Sequence, residues 1–139
     1  MERTDRSVDT FLADLRGPVG DDIRVLDSEI RQRMPGHERH LYEGRFWGGS
    51  DQQIIGYGVL GHQNRPGKDV EWFIVGIGEQ KNYISMYVNA VRDGAYLLRD
   101  YQKRLGKAKV GVASIGFESL ADIDVDALME LVEEAAGTP

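Results

Sequence analysis

The sequence predicts a single α+β domain in which an antiparallel β-sheet of about five strands packs against N- and C-terminal helices. Three observations lead to this prediction. Apolar residues recur at helical spacing near both ends, whereas from Arg39 onward the apolar segments are short, separated by glycines and rich in aromatic and β-branched residues. The length of 139 residues is sufficient for one hydrophobic core. We therefore assign residues 1–139 to one domain and expect 1–6 and 137–139 to fray.

Two helices are predicted before the first strand. Ser7 is a suitable N-cap for the first helix, which the Gly17–Pro18 pair is expected to end. The second helix is predicted to begin near Asp21 or Asp22, because a negative charge suits a helix start, and to end before Pro35. The apolar positions, three or four residues apart, are Val8, Phe11, Leu12 and Leu15 in the first helix and Ile23, Leu26, Ile30 and Met34 in the second.

The central part of the chain is predicted to form the sheet. The five predicted strands cover 39–46, 53–60, 70–77, 83–88 and 110–117. Side chains alternate between the two faces of a strand, so each strand contributes to both sides of the sheet. One predicted face carries Phe73, Val75, Ile77, Ile84, Met86 and Val88. The opposite face carries Trp72, Ile74, Gly76, Tyr83, Ser85 and Tyr87, and it is therefore the tyrosine-rich side.

Two more helices are predicted in the C-terminal third. The segment DGAYLLRDYQKRLG favours a short helix that Gly106 ends, and its apolar stripe is Leu97, Leu98, Tyr101 and Leu105. The last helix follows Asp124, a good N-cap, and its apolar positions are Val125, Leu128, Met129 and Val132. This last helix is expected to close the core.

Composition and charge narrow the classes of function. The net charge is −6, and the segment from Glu118 to the end has seven acidic residues and no basic one. An acidic chain disfavours sequence-independent binding of nucleic acid, which requires a basic surface. The sequence contains neither a membrane-spanning apolar run nor an apolar segment typical of a signal peptide, and it lacks cysteine. We therefore expect a cytoplasmic protein without nucleic-acid or membrane partners.

Three short motifs resemble catalytic signatures but depart from them. GHQNRPGKD at 61–69 has five residues between its glycines instead of four, carries Asp69 instead of a hydroxyl residue and precedes a strand, so it predicts a hairpin loop instead of a phosphate site. The G-x-G at 76–78 lacks a third glycine and a following helix. His37 and His40 are three residues apart just after a helix stop, whereas a zinc-protease motif needs a spacing of four within a helix. No catalytic residue is predicted.

The tyrosine-rich face is the main candidate for function. Tyr57, Trp72, Tyr83 and Tyr87 are predicted to share it, with Lys81 nearby. If all helices cover the other side of the sheet, these rings stay open to a protein partner or a small ligand, for which rings offer contact area at low entropic cost. The alternative is that a helix or a second subunit covers them.

An acidic cluster is the candidate metal site. Asp122, Asp124, Asp126 and Glu130 carry oxygen ligands that suit hard cations. The alternative interpretation is the solvated side of an amphipathic helix.

At a larger scale, the segments QQIIGYGVLGHQ, EWFIVGIGEQKNYISMYV and LGKAKVGVASIGFESLADIDVDALMELV together resemble the YdhG-like family of bacterial domains of unknown function. The resemblance extends from about residue 20 to 135. The matching residues are Gly56, Gly58, Trp72, Phe73, Gly76, Lys81, Tyr87, Leu105, Gly106, Lys107, Gly111, Asp122 and Asp124. Two positions differ, since Glu79 stands where relatives commonly carry a basic residue and Ser114 where many carry cysteine.

The resemblance implies an α+β fold similar to that of frataxin, and one branch of the family looks like an intracellular iron chaperone. We therefore expect a cytoplasmic, non-enzymatic binding module that uses the open aromatic face and needs no cofactor. The alternative function is iron binding or iron delivery through the C-terminal acidic residues.

Overall fold

The computed structural model describes residues 2–45, 51–65 and 68–137, with the backbone alone for 61–65 and 68–71. Helices α1, α2 and α3 span Val8–Asp14, Gly17–Arg33 and Val125–Ala136. The strands are β1 Glu2–Arg3, β2 Arg39–Arg45, β3 Asp51–Tyr57, β4 Leu60–Arg65, β5 Lys68–Trp72, β6 Val75–Glu79, β7 Ile84–Val88, β8 Val91–Arg92, β9 Ala95–Tyr96, β10 Lys109–Val110 and β11 Ser114–Phe117. Two short 3₁₀ helices cover Leu97–Asp100 and Leu120–Asp122.

Seven of these strands form one antiparallel sheet. In the described ranges, its order is β1-β2-β3-β6-β7-β11-β10, and the pairs β4-β5 and β8-β9 form separate hairpins. The predicted α+β class and antiparallel sheet are confirmed, but the sheet is larger than the five strands predicted. Part of the difference lies in the predicted strand 110–117, which folds back on itself so that Lys109 pairs with Gly116 across β10 and β11.

A second difference arises where the chain leaves the sheet after Tyr57 and re-enters it at Val75. Gly58 adopts a φ of +74°, which favours glycine and ends β3. The amide of Ile74 then donates to the Tyr57 carbonyl at 3.1 Å. The predicted strands 53–60 and 70–77 are therefore each divided, and the hairpin of β4 and β5 lies between the halves. The loop predicted in 61–69 was too long, because β4 continues to Arg65 and β5 begins at Lys68. Residues 66 and 67 lie outside the described residues.

The N-terminal helices are present, but the boundary between them was predicted wrongly. The Ser7 hydroxyl accepts from the amide of Thr10 and caps α1, as expected. The Gly17–Pro18 pair does not only end α1 but also begins α2. Proline suits the first turn of a helix, because the backbone N–H groups there have no partner within the helix and proline has none to satisfy. Helix α2 therefore starts four residues before Asp21.

The predicted helix around 94–106 is a hairpin followed by a 3₁₀ helix. Asp93 and Gly94 both have positive φ, 54° and 79°, which is the turn geometry that joins two short strands. The apolar stripe Leu97, Leu98, Tyr101 and Leu105 is buried as expected. The last helix, α3, follows Asp124, whose carboxylate accepts from the amide of Ala127 at 3.0 Å, and this prediction is confirmed.

All three helices pack on one face of the seven-stranded sheet, which we call the inner face. The main core lies there, and its fully buried members include Ile30 of α2, Leu128 of α3 and Met86 of β7. The other face, called the outer face below, carries a second buried cluster of Tyr42, Ile54, Phe73 and Tyr87, with Trp72 packed against it. No helix in the described part of the chain is both long and apolar enough to cross a membrane.

Candidate functional site

Aromatic rings fill one half of the outer face. The Trp72 and Phe73 rings stack with centroids 4.4 Å apart, and the Tyr42 ring meets Phe73 edge to face at 5.2 Å. Gly56 and Gly76, paired across β3 and β6, make room for these rings. A Cβ on Gly56 would lie 2.7 Å from the Cβ of Phe73, and one on Gly76 would meet the Phe73 ring even more closely. The rings therefore pack on each other and on the glycines, and they leave little of this half open.

The other half of the outer face contains a groove of about 610 Å³, which lies within the usual size range of small-molecule sites. We call it the outer groove. It is lined by Asn82, Tyr83, Ser85, Tyr87, Lys109, Val110, Gly111, Ser114, Ile115, Gly116, Phe117 and Glu118. The pairing of β7 with β11 builds its floor, since Tyr87 lies opposite Ser114 and Ser85 lies opposite Gly116.

Tyr83 stands over the glycine part of this floor. Its ring atoms Cδ2 and Cε2 lie 3.4 and 3.5 Å from the position that a Cβ on Gly116 would occupy. The residue is 44% exposed, so one side of the ring contacts the groove floor and the rest remains accessible. The ring lies over Gly116 at a distance that leaves ordinary van der Waals contact for a Cβ.

Tyr87 and Ser85 form the fixed part of the groove. Burial raises the pKa of Tyr87, a hydrogen bond with the Ser85 side chain lowers it, and the neighbouring Tyr83 raises it. The net direction is upward, so the Tyr87 hydroxyl keeps its proton at neutral pH. Ser85 is held by its donation to the Gly78 carbonyl at 3.3 Å and by the Gln80 amide, which donates to its hydroxyl at 3.0 Å. These contacts give the groove polar atoms in set positions.

The Lys109 ammonium, the Ser114 hydroxyl and the Glu118 carboxylate are among the polar groups of the lining that have no partner among the described residues. Lys109 and Glu118 are exposed at the rim. The groove thus presents a cation, an anion and a hydroxyl beside two tyrosine rings.

The five residues predicted to share one surface are separated by the structure into four places. Tyr83 and Tyr87 line the outer groove together. Trp72 lies on the same face but in the ring cluster, which Phe73 joins to Tyr87 at a centroid distance of 6.4 Å. Lys81 lines a different cavity of about 730 Å³, together with Glu43 and other residues at the ends of β2, β3 and β6.

Tyr57 lies on the inner face, and its predicted place on the outer face was wrong. It is buried in the main core, and its hydroxyl donates to Asp27 of α2 at 2.7 Å. Asp27 also accepts two hydrogen bonds from Arg39, each 2.9 Å long. Burial raises the pKa of Tyr57 well above its ordinary value, and Asp27 adds to the increase. This tyrosine serves the core instead of a binding surface.

Phe73 also lies on a different face from the one predicted. It was expected on the face of Val75, yet it lies in the outer cluster. The cause is the interruption of the strand between β5 and β6. There the Asn89 side chain donates to the Phe73 carbonyl at 3.0 Å, and the backbone N–H of Asn89 donates to the Ile74 carbonyl. The strict alternation assumed across 70–77 therefore fails at this point.

The predicted metal residues are not gathered into one site. Asp124 caps α3, Glu130 forms an ion pair with Arg104, and the Asp122 carbonyl accepts from the amide of Lys107. Asp126 lies exposed in the first turn of α3. Among the described residues, no group of three or more histidines or carboxylates is placed to hold a metal ion.

Ser85 was predicted on the tyrosine-rich face, but no binding role was predicted for four other residues of the outer groove: Lys109, Ser114, Gly116 and Glu118. A signal was present for two of them, because Ser114 and Gly116 alternate along one predicted strand and must share a face. What the sequence did not provide was the partner of that strand. Once β7 is known to pair with β11, Ser114 lies beside Tyr87 and Gly116 beside Ser85.

Comparison with protein-family models, curated proteins and solved structures gives no match. The function is therefore inferred from the geometry of the outer groove.

Proposed function

We propose that this chain is a binding domain that takes a small planar molecule into the outer groove. The observation that carries the proposal is the Tyr83 ring, 44% exposed, standing on Gly116 at a concavity of about 610 Å³. An accessible ring above a glycine floor offers a stacking surface for another ring. Ser85 and Tyr87, held in place beside it, supply oriented hydroxyl groups, which is the usual combination in ligand pockets.

A small ligand is favoured over a protein partner by the shape of the outer face. Trp72 and Phe73, which could have formed a broad apolar contact, are stacked against each other and against Tyr42. The accessible aromatic surface is concentrated at Tyr83, inside a concavity. Concave sites suit small molecules, whereas stable protein interfaces need a wider patch.

The test is a titration of the ¹⁵N-labelled chain with benzamide, a neutral single-ring probe. We expect amide shifts to change around 82–87 and 109–118. Replacing Tyr83 by Ala should weaken benzamide binding about fivefold, since one aromatic pair contributes about 1 kcal/mol.

The matched control is Tyr96→Ala. Tyr96 is also exposed but lies on β9, outside the groove lining. Its replacement should leave the affinity unchanged. Shifts that cluster elsewhere, or equal losses in both variants, would refute the assignment of the groove.

We also propose the finer fold assignment, that the chain is a divergent YdhG-like domain with a frataxin-like arrangement and works in the cytoplasm. The support is the ordered set of sequence segments together with an antiparallel sheet whose helices all pack on one face. Experimental structures of this chain and of a YdhG-like domain should superpose with the same strand order. A different order in the central strands β3, β6, β7 and β11 would reject the assignment.

A further inference from the structure

The outer groove carries one positive and one negative side chain on the same side of the sheet. Lys109 pairs with Gly116 across β10 and β11, and directly opposed residues project to the same face. Glu118 directly follows the last residue of β11, Phe117, and lines the same groove. Both residues line the groove.

The two charges belong to the wall of one groove. Only Phe117 separates Glu118 from Gly116, the strand partner of Lys109. Neither charged group has an ion-pair partner among the described residues. The Tyr83 ring stands on Gly116, the strand partner of Lys109.

We propose, on the basis of the proposed function, that the ligand is a small zwitterion with an apolar or aromatic side chain, such as an amino acid. An anionic ligand would be attracted by Lys109 but repelled by Glu118, and a cationic ligand would meet the reverse. A molecule with both charges satisfies both groups. Charge complementarity therefore favours a zwitterion over either singly charged molecule.

The groove also defines an orientation for the zwitterion. The carboxylate faces the Lys109 ammonium, because a charge-assisted hydrogen bond is stronger than a neutral one. The ammonium faces the Glu118 carboxylate. The aromatic side chain of the ligand then stacks against the Tyr83 ring, as in the proposed function.

Three probes with the same ring test this inference on the full chain. L-Phenylalanine carries both charges, 3-phenylpropionate carries only the negative charge and 2-phenylethylamine carries only the positive charge. We expect phenylalanine to bind at least about threefold more tightly than either of the others, since each exposed ion pair contributes a few-fold in affinity. Amide shift titrations at neutral pH give the three dissociation constants.

Two variants assign the preference to its residues. Lys109→Met should remove the advantage of phenylalanine over 2-phenylethylamine, and Glu118→Gln should remove its advantage over 3-phenylpropionate. Lys103→Met and Glu29→Gln are the matched controls, because both residues lie outside the groove lining. Neither control should change the order of the probes.

The outcomes separate this inference from the proposed function. If the three probes bind the groove equally well, or a singly charged probe binds best, the zwitterion assignment is overturned while ring binding in the groove stands. If benzamide and all three probes leave the groove residues unshifted at millimolar concentration, both proposals fail.

Discussion

At the scale of single residues, two glycines determine how the outer face is divided. Gly76 makes room for the Phe73 ring, so that half of the face is closed by the protein's own side chains. Gly116 lies beneath Tyr83, whose ring remains accessible and would leave ordinary contact distance for a Cβ. The same residue type thus allows a packed cluster in one place and a groove in the other, because Phe73 is fully buried and Tyr83 is not.

This difference predicts that replacing glycine by alanine lowers the stability at one of the two positions and leaves it almost unchanged at the other. Gly76→Ala places a methyl group against the Phe73 ring and within 3.0 Å of Ile54, so we expect a loss of about 1–3 kcal/mol in the free energy of unfolding. Gly116→Ala adds a methyl group at ordinary contact distance from Tyr83 and should keep the stability within about 0.5 kcal/mol. Urea unfolding of both variants measures the difference. Equal stabilities would contradict the packing described for Phe73.

At the scale of elements, local signals in the sequence located most helices and strands but not every boundary. The caps Ser7 and Asp124 are contacts within one turn, so composition and spacing suffice to predict them. The hairpin at Asp93–Gly94 was missed because its flanking strands have two residues each, too short for alternation to show. Gly17–Pro18 both follows one helix and begins another, and only tertiary packing decides how such a pair is used.

The faces of the strands show the same limit. The two faces of β7 were predicted correctly, because β7 is a regular strand. Ile84, Met86 and Val88 lie on the inner face, and Tyr83, Ser85 and Tyr87 lie on the outer face. Tyr57 was assigned to the wrong face. Which face of a strand is covered by helices depends on how the strand packs in the whole fold, and the sequence of β3 alone does not show this. The hydrogen bond to Asp27, thirty positions away in the sequence, is a long-range contact that no local pattern reveals.

The cap of the last helix gives a prediction at this scale. Asp124→Ala removes the acceptor for the Ala127 amide, and we expect a loss of about 1 kcal/mol in the free energy of unfolding. Asp126→Ala, in the first turn of α3, is the matched control. It loses only a favourable interaction with the helix dipole, so its free energy of unfolding should fall by only about 0.3 kcal/mol. Thermal and urea unfolding would measure both. A larger effect at Asp126 than at Asp124 would contradict the capping role.

At the scale of the whole molecule, a polar network joins the helices to the sheet on the inner side. Asp27 of α2 accepts from Arg39 of β2 and from Tyr57 of β3, and Arg39 also pairs with Asp9 of α1. The network holds together four elements that are distant in the sequence. Removing one member leaves buried polar atoms without a partner, which costs more than the net contribution of a hydrogen bond.

Two tyrosines with a raised pKa, one of them in this network, predict how the stability of the molecule depends on pH. The pKa of Tyr57 is raised by burial and by Asp27, and the pKa of Tyr101 is raised to about 12 by burial and by Glu134. In the unfolded chain a tyrosine ionises near pH 10. Above that pH the unfolded state releases protons that the native state retains, so the free energy of unfolding falls as pH rises. The full contribution is present below pH 10 and is lost as pH approaches the raised native values.

Tyr57→Phe isolates the share that this tyrosine contributes. At neutral pH the variant loses the hydrogen bond to Asp27, and we expect its free energy of unfolding to be lower by about 1–3 kcal/mol. Above pH 10 the wild-type protein also loses stability through Tyr57, whereas the variant has no phenol at this position. The difference between the two should therefore shrink as pH rises, which urea unfolding at a series of pH values would measure. Tyr96→Phe, at an exposed position, controls for the loss of one tyrosine. A difference that stays constant from pH 7 to well above pH 10 would show that the Tyr57 hydroxyl is not held in the buried network, and the link between β3 and α2 would then have to rest on apolar packing alone.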